Sequence, residues 1–264
     1  MADHPKMVAV LKEVEPDAVV SLLMTLPDGG VRKLSDFDST RQLWKSMTAS
    51  LLPAAQSAGV KRFVTESMIF AYGYGRNGDR QLTEDDPNSG PPPLGKAGQP
   101  FIDEWRDMER RVLESGQTTA TEGIVLRYGV FHGPEVPHAQ MMAEMVKRWA
   151  MPVPTGKALF SWVEIGDAAS ATLAALTRGR GGQIYNIVDD EPLSFRRYMN
   201  DLAATINRPK PLAVPRWLIK PFAPYAAVTF GYIQLAVSNA KAKRELNWLP
   251  RYTNHQAVFE DQYR

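Results

Sequence analysis

Three short runs of this chain read as strands, the first of them apolar almost throughout, and what lies between them has the period of a helix. The runs are Ala18-Val-Val-Ser-Leu-Leu-Met24, Lys61-Arg-Phe-Val-Thr65 and Gly123-Ile-Val-Leu-Arg-Tyr128. A strand that is apolar on both faces is one covered on both faces. Between the first two, Leu43, Met47 and Leu51 recur at helical spacing over residues 39–57, and Gly59 ends the helix. Between the last two, a helix spans residues 98–113, with Pro100 in its first turn and Gly116 beyond its end. Strand, helix, strand, helix, strand predicts an α/β fold on a parallel sheet with flanking helices.

Around this frame the pattern is looser. Residues 7–14 read as the end of a short amphipathic helix, stopped at Pro16-Asp17, and a loop rich in glycine and proline spans residues 72–98. Residues 160–163 are extended, 167–176 form an alanine-rich helix, and Gln183-Ile-Tyr-Asn-Ile-Val188 is a further strand. Ser194 is placed to cap a helix running to about Ile206. Residues 209–232 are dominated by proline and aromatic side chains, 222–236 read as a buried or groove-lining helix, and a final helix holds residues 240–246. Met141, Met142, Met145 and Trp149 lie at helical spacing, as one buried stripe or as an apolar pocket lining.

Several function classes are disfavoured at once. A net charge of +2 gives no ground for nucleic acid or an acidic surface as partner. The absence of cysteine excludes disulfides, thiolate zinc sites and cysteine nucleophiles. The histidines, His4, His132, His138 and His255, do not pair at metal-ligand spacing, and His132-Gly-Pro134 reads as a turn, so no metal is expected. The first residues carry no apolar signal core, and the most membrane-like run, 222–236, is shorter than the ~20 residues of a spanning helix. The expectation is a cytoplasmic protein acting on a small molecule, without nucleic-acid or membrane partners.

Four stretches carry a resemblance by their order and spacing: Lys61-Arg-Phe-Val, Leu126-Arg-Tyr-Gly-Val-Phe-His-Gly-Pro134, Ile184-Tyr-Asn-Ile-Val-Asp-Asp-Glu-Pro192 and Ala240-Lys-Ala-Lys-Arg-Glu-Leu-Asn-Trp-Leu-Pro250. Together they resemble the extended short-chain dehydrogenase/reductase family, the NAD-dependent epimerases and dehydratases. The chain is more similar to an atypical branch without the active tyrosine than to the sugar-nucleotide epimerases proper. The resemblance implies a partial Rossmann-like parallel sheet with flanking helices and a smaller C-terminal substrate domain. The first would take residues 1–135 with 160–190 returning to it, the second 136–159 and 191–264. It also implies NAD or NADP across the strand ends. Leu22, Leu23 and Met24 would flank the adenosine, Thr65 and Glu66 the nicotinamide ribose, and Tyr128 and Val130 the nicotinamide.

Two departures matter. The family opens with a strand, a G-x-x-G-x-x-G turn and a helix whose N-terminus receives the pyrophosphate. The chain as written has no such segment. Gly73-Tyr-Gly75 with Asn77-Gly78 reads as a turn, so dinucleotide binding is expected to be weak or absent. The family's proton relay is a Tyr-x-x-x-Lys pair with a Ser or Thr. Alignment through Glu109 and Tyr72-Gly73 puts Phe101 at the tyrosine, Trp105 at the lysine and Met68 at the serine. None of the three can relay a proton. They line an apolar substrate pocket in one reading; in the other, Phe101 and Trp105 are packing between helix and sheet.

Three candidates for chemistry remain. Glu66 is a carboxylate at a strand's C-terminal end, a general base, a ribose contact or the partner of a lysine. Ser67 stands one residue before the missing serine, on the opposite face of a strand. Tyr72 lies four residues from Arg76, and an adjacent cation would lower its pKa; the competing reading is a solvated loop tip. Lys241, Lys243 and Arg244 form a solvated helix face or, less simply, a phosphate contact.

Without a segment before it, the strand at residues 18–23 becomes a sheet edge that is apolar on both faces. The reading then expects a coding start further upstream, a homodimer formed by pairing with a second copy, or poor solubility. The expected function is that of an NAD(P)-dependent epimerase/dehydratase-like protein, an oxidoreductase scaffold with altered or lost catalysis. The alternative is a non-catalytic metabolite- or partner-binding protein on the same scaffold.

Overall fold

The computed structural model describes residues 4–27, 30–78, 80–87 and 98–263; residues 88–97 of the glycine- and proline-rich loop lie outside them. The first half of the chain runs α1 (His4–Val14), β1 (Ala18–Ser21), α2 (Asp38–Ser46), α3 (Leu52–Ser57), β2 (Arg62–Met68), α4 (Gly98–Leu113), α5 (Ser115–Thr118), β3 (Glu122–Tyr128) and β4 (Val130–His132). Then come α6 (Pro137–Lys147), β5 (Val153–Pro154), β6 (Leu159–Phe160), β7 (Trp162–Glu164), α7 (Ile165–Arg178), β8 (Gln183–Ile187), β9 (Leu193–Ser194) and α8 (Phe195–Thr205). The rest is β10 (Ala213–Val214), α9 (Arg216–Ile219), α10 (Pro224–Thr229), β11 (Gln234–Leu235), α11 (Ala240–Leu246) and α12 (His255–Gln262).

The three strands expected from the sequence are adjacent and co-directional. β1, β2, β3 and β8 form one parallel sheet in that order, with Val19 opposite Phe63, Val64 opposite Ile124 and Leu126 opposite Tyr185. Successive side chains alternate between faces. Val64, Ile124 and Leu126 pack with α7 and α11, while Phe63 and Val125 pack with α4 on the other face. β3 from Gly123 and β2 from Phe63 to Ser67 are buried on both sides, whereas β1 is mostly half-buried with Val20 exposed. A Cβ on Gly123 would stand 1.7 Å from the Val112 carbonyl oxygen, so only glycine lets β3 pass this close to the end of α4. α2 passes through one wide turn, Met47–Leu51, into α3, with Pro53 just beyond that turn.

Smaller pieces complete the C-terminal part. β6 lies between β11, parallel to it, and β9, antiparallel. β5 pairs with β10 and β4 with β7, both in parallel. The Ser194 side chain accepts a hydrogen bond from the Arg197 N–H and caps α8.

The structure corrects two helices. Residues 222–236 are not one buried helix. Only Pro224–Thr229 is helical there; a turn and β11 follow, and Phe222 stands in solvent. Pro221 and Pro224 restrict the chain before them and confine the helix to a short piece. The last helix is α12 rather than α11; it has no apolar stripe to read, and is set by its Asn254 cap and by burial of Val258 and Phe259. The methionine stripe is also divided. Met142 is buried, Met141 and Met145 are half-buried, and Trp149, at φ 58° beyond the helix end, is exposed. Among the described residues no helix is long and apolar enough to cross a membrane.

Candidate functional site

Open parallel sheets bind ligands beyond the carboxyl ends of their strands. Here those ends carry Leu23 and Met24 after β1, the Thr65–Met68 segment of β2, Tyr128 at the end of β3, and Val130 beyond it. The sheet separates these candidates into two groups.

On the α4 side, Ser67 Oγ donates to Glu109 Oε1 at 2.5 Å and accepts from Trp105 Nε1 at 2.9 Å. Glu109 in turn receives a two-pronged contact from Arg127, Nε to Oε1 at 2.9 Å and Nη2 to Oε2 at 2.6 Å. Burial works against the Arg127 charge, and the Glu109 carboxylate outweighs it, holding the guanidinium above its ordinary pKa. The guanidinium also lies 4.4 Å over the Tyr72 ring. The Tyr72 hydroxyl is 2.8 Å from the Thr83 carbonyl oxygen and 3.0 Å from Asn186 Oδ1. Ser67, Tyr72, Glu109, Arg127 and Asn186 are all buried. This is a closed polar network.

Tyr72 therefore departs from both sequence readings. It is neither a solvated loop tip nor the partner of Arg76, which lies over Tyr232 at 5.4 Å. Burial pushes the phenol up to about 12 in spite of Arg127. The expected downward shift is reversed because desolvation exceeds the pull of the cation.

Phe101 and Trp105 share one face, edge to face with centroids 5.5 Å apart. Trp44 of α2 lies 4.7 Å from Trp105, and Phe37 lies 5.0 Å from Phe101. Both rings are buried, so they fill the space between α4, α2 and the sheet. The packing reading describes their surroundings; Met68, the last residue of β2, is half-buried.

The other face differs. Glu66 points with Val64 toward α7, is 9% exposed, and its Oε1 has no hydrogen-bond partner among the described residues. Burial pushes this carboxyl up to about 7. No lysine or other cation pairs with it among the described residues, so the lysine-partner reading is set aside. Tyr128, on the same side, is 2.7 Å from Thr172 Oγ1 of α7. Burial raises the Tyr128 phenol above its ordinary range, and the Glu66 charge adds to the effect. Thr65 is buried, with its hydroxyl 3.4 Å from the Ser21 carbonyl oxygen. Leu23 is exposed, and Met24 and Val130 are half-buried. Thr172 escaped the sequence reading because an alanine-rich helix gives no sign of which turn meets the sheet.

Two further assignments change. His132 ends β4 and is buried, not part of an open turn. Neither ring nitrogen has a partner among the described residues, and burial with nearby His255 and His138 pushes its pKa down to about 3. Lys241 donates to Gln183 Oε1 at 2.9 Å and lies over the Tyr185 ring, while Lys243 pairs with Asp190 and Arg244 with Glu245. That helix face is engaged with the protein rather than simply solvated. Among the described residues no group of three or more His, Cys, Asp or Glu could hold a metal ion.

A dinucleotide pyrophosphate needs the N–H groups of a helix start behind a glycine-rich turn. The Gly73–Gly78 loop does not lead into one: Arg76 bridges Gln234 and Leu82 bridges Val237, so it runs along the β11 segment. Within the Gly73–Gly78 stretch itself no helix N-terminus is formed.

The parallel sheet covered on both faces, with a smaller C-terminal part, defines a Rossmann-like α/β protein. The model of the NAD dependent epimerase/dehydratase family matches residues 1–188, and the chain belongs to that family. It is similar to a 3-diazoavenalumate denitrifying reductase of a Streptomyces species, 28% identical over 269 residues, 95% of this chain and 81% of the relative. A dTDP-glucose 4,6-dehydratase of Xanthomonas campestris is 27% identical over 135 residues, half of this chain and 38% of that one. Among solved structures, the dTDP-glucose 4,6-dehydratase of Streptomyces venezuelae with NAD and TYD bound superposes with a TM-score of 0.74 at 19% identity, over 98% of this chain and 75% of its own. The UDP-glucose 4-epimerase of Thermus thermophilus, in complex with NAD, gives 0.72 at 20% identity, over 97% and 80%. At these identities the structural likeness speaks for the fold alone.

Proposed function

We propose that this protein is a reductase-type member of its family in which the phenol relay has given way to core packing and Glu66 is the proton-carrying group. The observation that carries the reading is a buried carboxyl at a strand's C-terminal end whose Oε1 has no hydrogen-bond partner among the described residues, on the opposite face of the sheet from the packed Phe101 and Trp105. A carboxyl with a pKa near 7 exchanges its proton at neutral pH, which suits a general acid or base. Tyr128 and Thr172 hold that side of the site; Ser67 and Tyr72 hold the network behind it.

The similarity to a reductase over most of the chain supports reduction of a small molecule. Reducing a carbonyl builds alkoxide charge that a phenol would protonate. With the phenol relay replaced, Glu66 is the group proposed to supply that proton. The part made of residues 1–135 and 160–190 carries Glu66, and residues 136–159 and 191–264 form the substrate part. NAD or NADP supplies or takes hydride in this family. By the described residues its binding is proposed to be weak or absent, since the Gly73–Gly78 stretch opens no helix. Leu23, Met24, Thr65, Tyr128 and Val130 would border what remains of the cofactor site.

The lost relay also favours a second reading, a protein that binds a metabolite without turning it over. Calorimetric titration with NADH and NADPH, followed by turnover assays against carbonyl and diazo compounds, separates the two. The first reading expects turnover that Glu66→Gln abolishes and Tyr72→Phe spares. Ligand binding without turnover supports the second, and micromolar dinucleotide affinity contradicts the expectation of weak binding.

A further inference from the structure

The near-zero charge balance of the chain conceals a local asymmetry. Residues 145–163 and 202–244 contain no aspartate or glutamate. β5 and β10 bring these stretches together: the Val153 N–H donates to the Leu212 carbonyl at 2.9 Å and the Thr155 N–H to the Val214 carbonyl at 2.8 Å. On them stand Trp149, Leu212, Trp217 and Phe222, which are 72%, 75%, 68% and 82% exposed. Arg148, Lys157, Arg208, Lys210, Arg216 and Lys220 are exposed in the same segments. Prolines at 209, 211, 215, 221 and 224 stiffen the backbone that presents them. Four large apolar side chains exposed on two hydrogen-bonded segments exceed the scattered single exposures ordinary on a surface, and a cluster of this kind marks a surface that meets something.

We propose that this face docks on the surface of an anionic phospholipid bilayer. The aromatic and leucine tips enter the headgroup boundary, where indole rings are favoured, and the surrounding cations meet the lipid phosphates. Charge selects this occupant. Two-fold pairing with a second copy would set cations against cations with no acid in either segment to offset them. A nucleic acid offers phosphates, but no hydrocarbon to receive Leu212. The attachment is peripheral and needs no spanning helix.

The test is flotation of the full chain with vesicles of phosphatidylcholine alone and of equal parts phosphatidylcholine and phosphatidylglycerol. Binding to the mixed vesicles only, weakening with salt, is expected. Trp217→Ser with Phe222→Ser should lower the bound fraction about tenfold, and Lys210→Gln with Lys220→Gln should lower it and flatten the salt dependence. These side chains are exposed, so an unchanged circular dichroism spectrum shows that the variants fold. No binding to mixed vesicles overturns the proposal. So does binding that the aromatic variant leaves intact, and an oligonucleotide that binds the protein while vesicles do not reassigns the face to a soluble polyanion.

Discussion

Glu66 and His132 are both buried with ring or carboxyl atoms unpartnered, and they pull stability in opposite directions with pH. The folded pKa of Glu66, about 7, lies above its ordinary 4.5, so the folded state holds the proton more tightly. Its contribution is present below pH 4.5 and is lost as pH rises through 7. The folded pKa of His132, about 3, lies below its ordinary 6.5, so the unfolded state holds the proton more tightly. That contribution is full above pH 6.5 and is lost as pH falls toward 3. Urea denaturation at stepped pH should show Glu66→Gln flattening the decline above pH 4.5, and His132→Phe flattening the decline below 6.5. A slope that survives in its own variant would assign it to another group. Glu66 was legible from the sequence as a carboxylate at a strand end. Its lack of partners was not, because that depends on what α7 and β3 bring beside it.

At the scale of the element, α4 shows how far spacing alone could be read. Phe101 and Trp105 fall one turn apart and had to share a face. Which face they meet is set by α2, through Trp44 and Phe37, and no spacing within α4 reports that. Tyr72 shows the same limit: Arg76 is near in sequence, but the register of β2 against β3 gives the ring to Arg127. If the aromatic pair is structural, Trp105→Ala should cost about 3–5 kcal/mol, because it empties a buried indole site and removes the donor to Ser67. The urea midpoint measures this, and a loss below about 1 kcal/mol would mean the ring is not part of the core.

For the whole molecule, the parallel sheet was readable because strand-like runs alternate with helical spacing, although β1 proves only half-buried and β2 carries Thr65, Glu66 and Ser67 in its buried stretch. The C-terminal part was not, since two-residue strands such as β5 and β10 have no period. Among the described residues β1 is the edge of the sheet, and Val20 in it and Leu22 and Leu23 just after it are exposed. Pairing of this edge with a second copy remains our reading. Sedimentation velocity should show concentration-dependent dimers that Val20→Lys weakens; a monomer at every concentration would count against it. The account as a whole turns on the claim that Glu66 took over proton handling when the phenol relay became packing. Its most direct test is an NMR titration of the Glu66 side-chain carboxyl, assigned by the signal lost in Glu66→Gln. A midpoint near pH 7 is predicted. A midpoint at the ordinary 4.5 would show an unperturbed carboxylate and contradict the account.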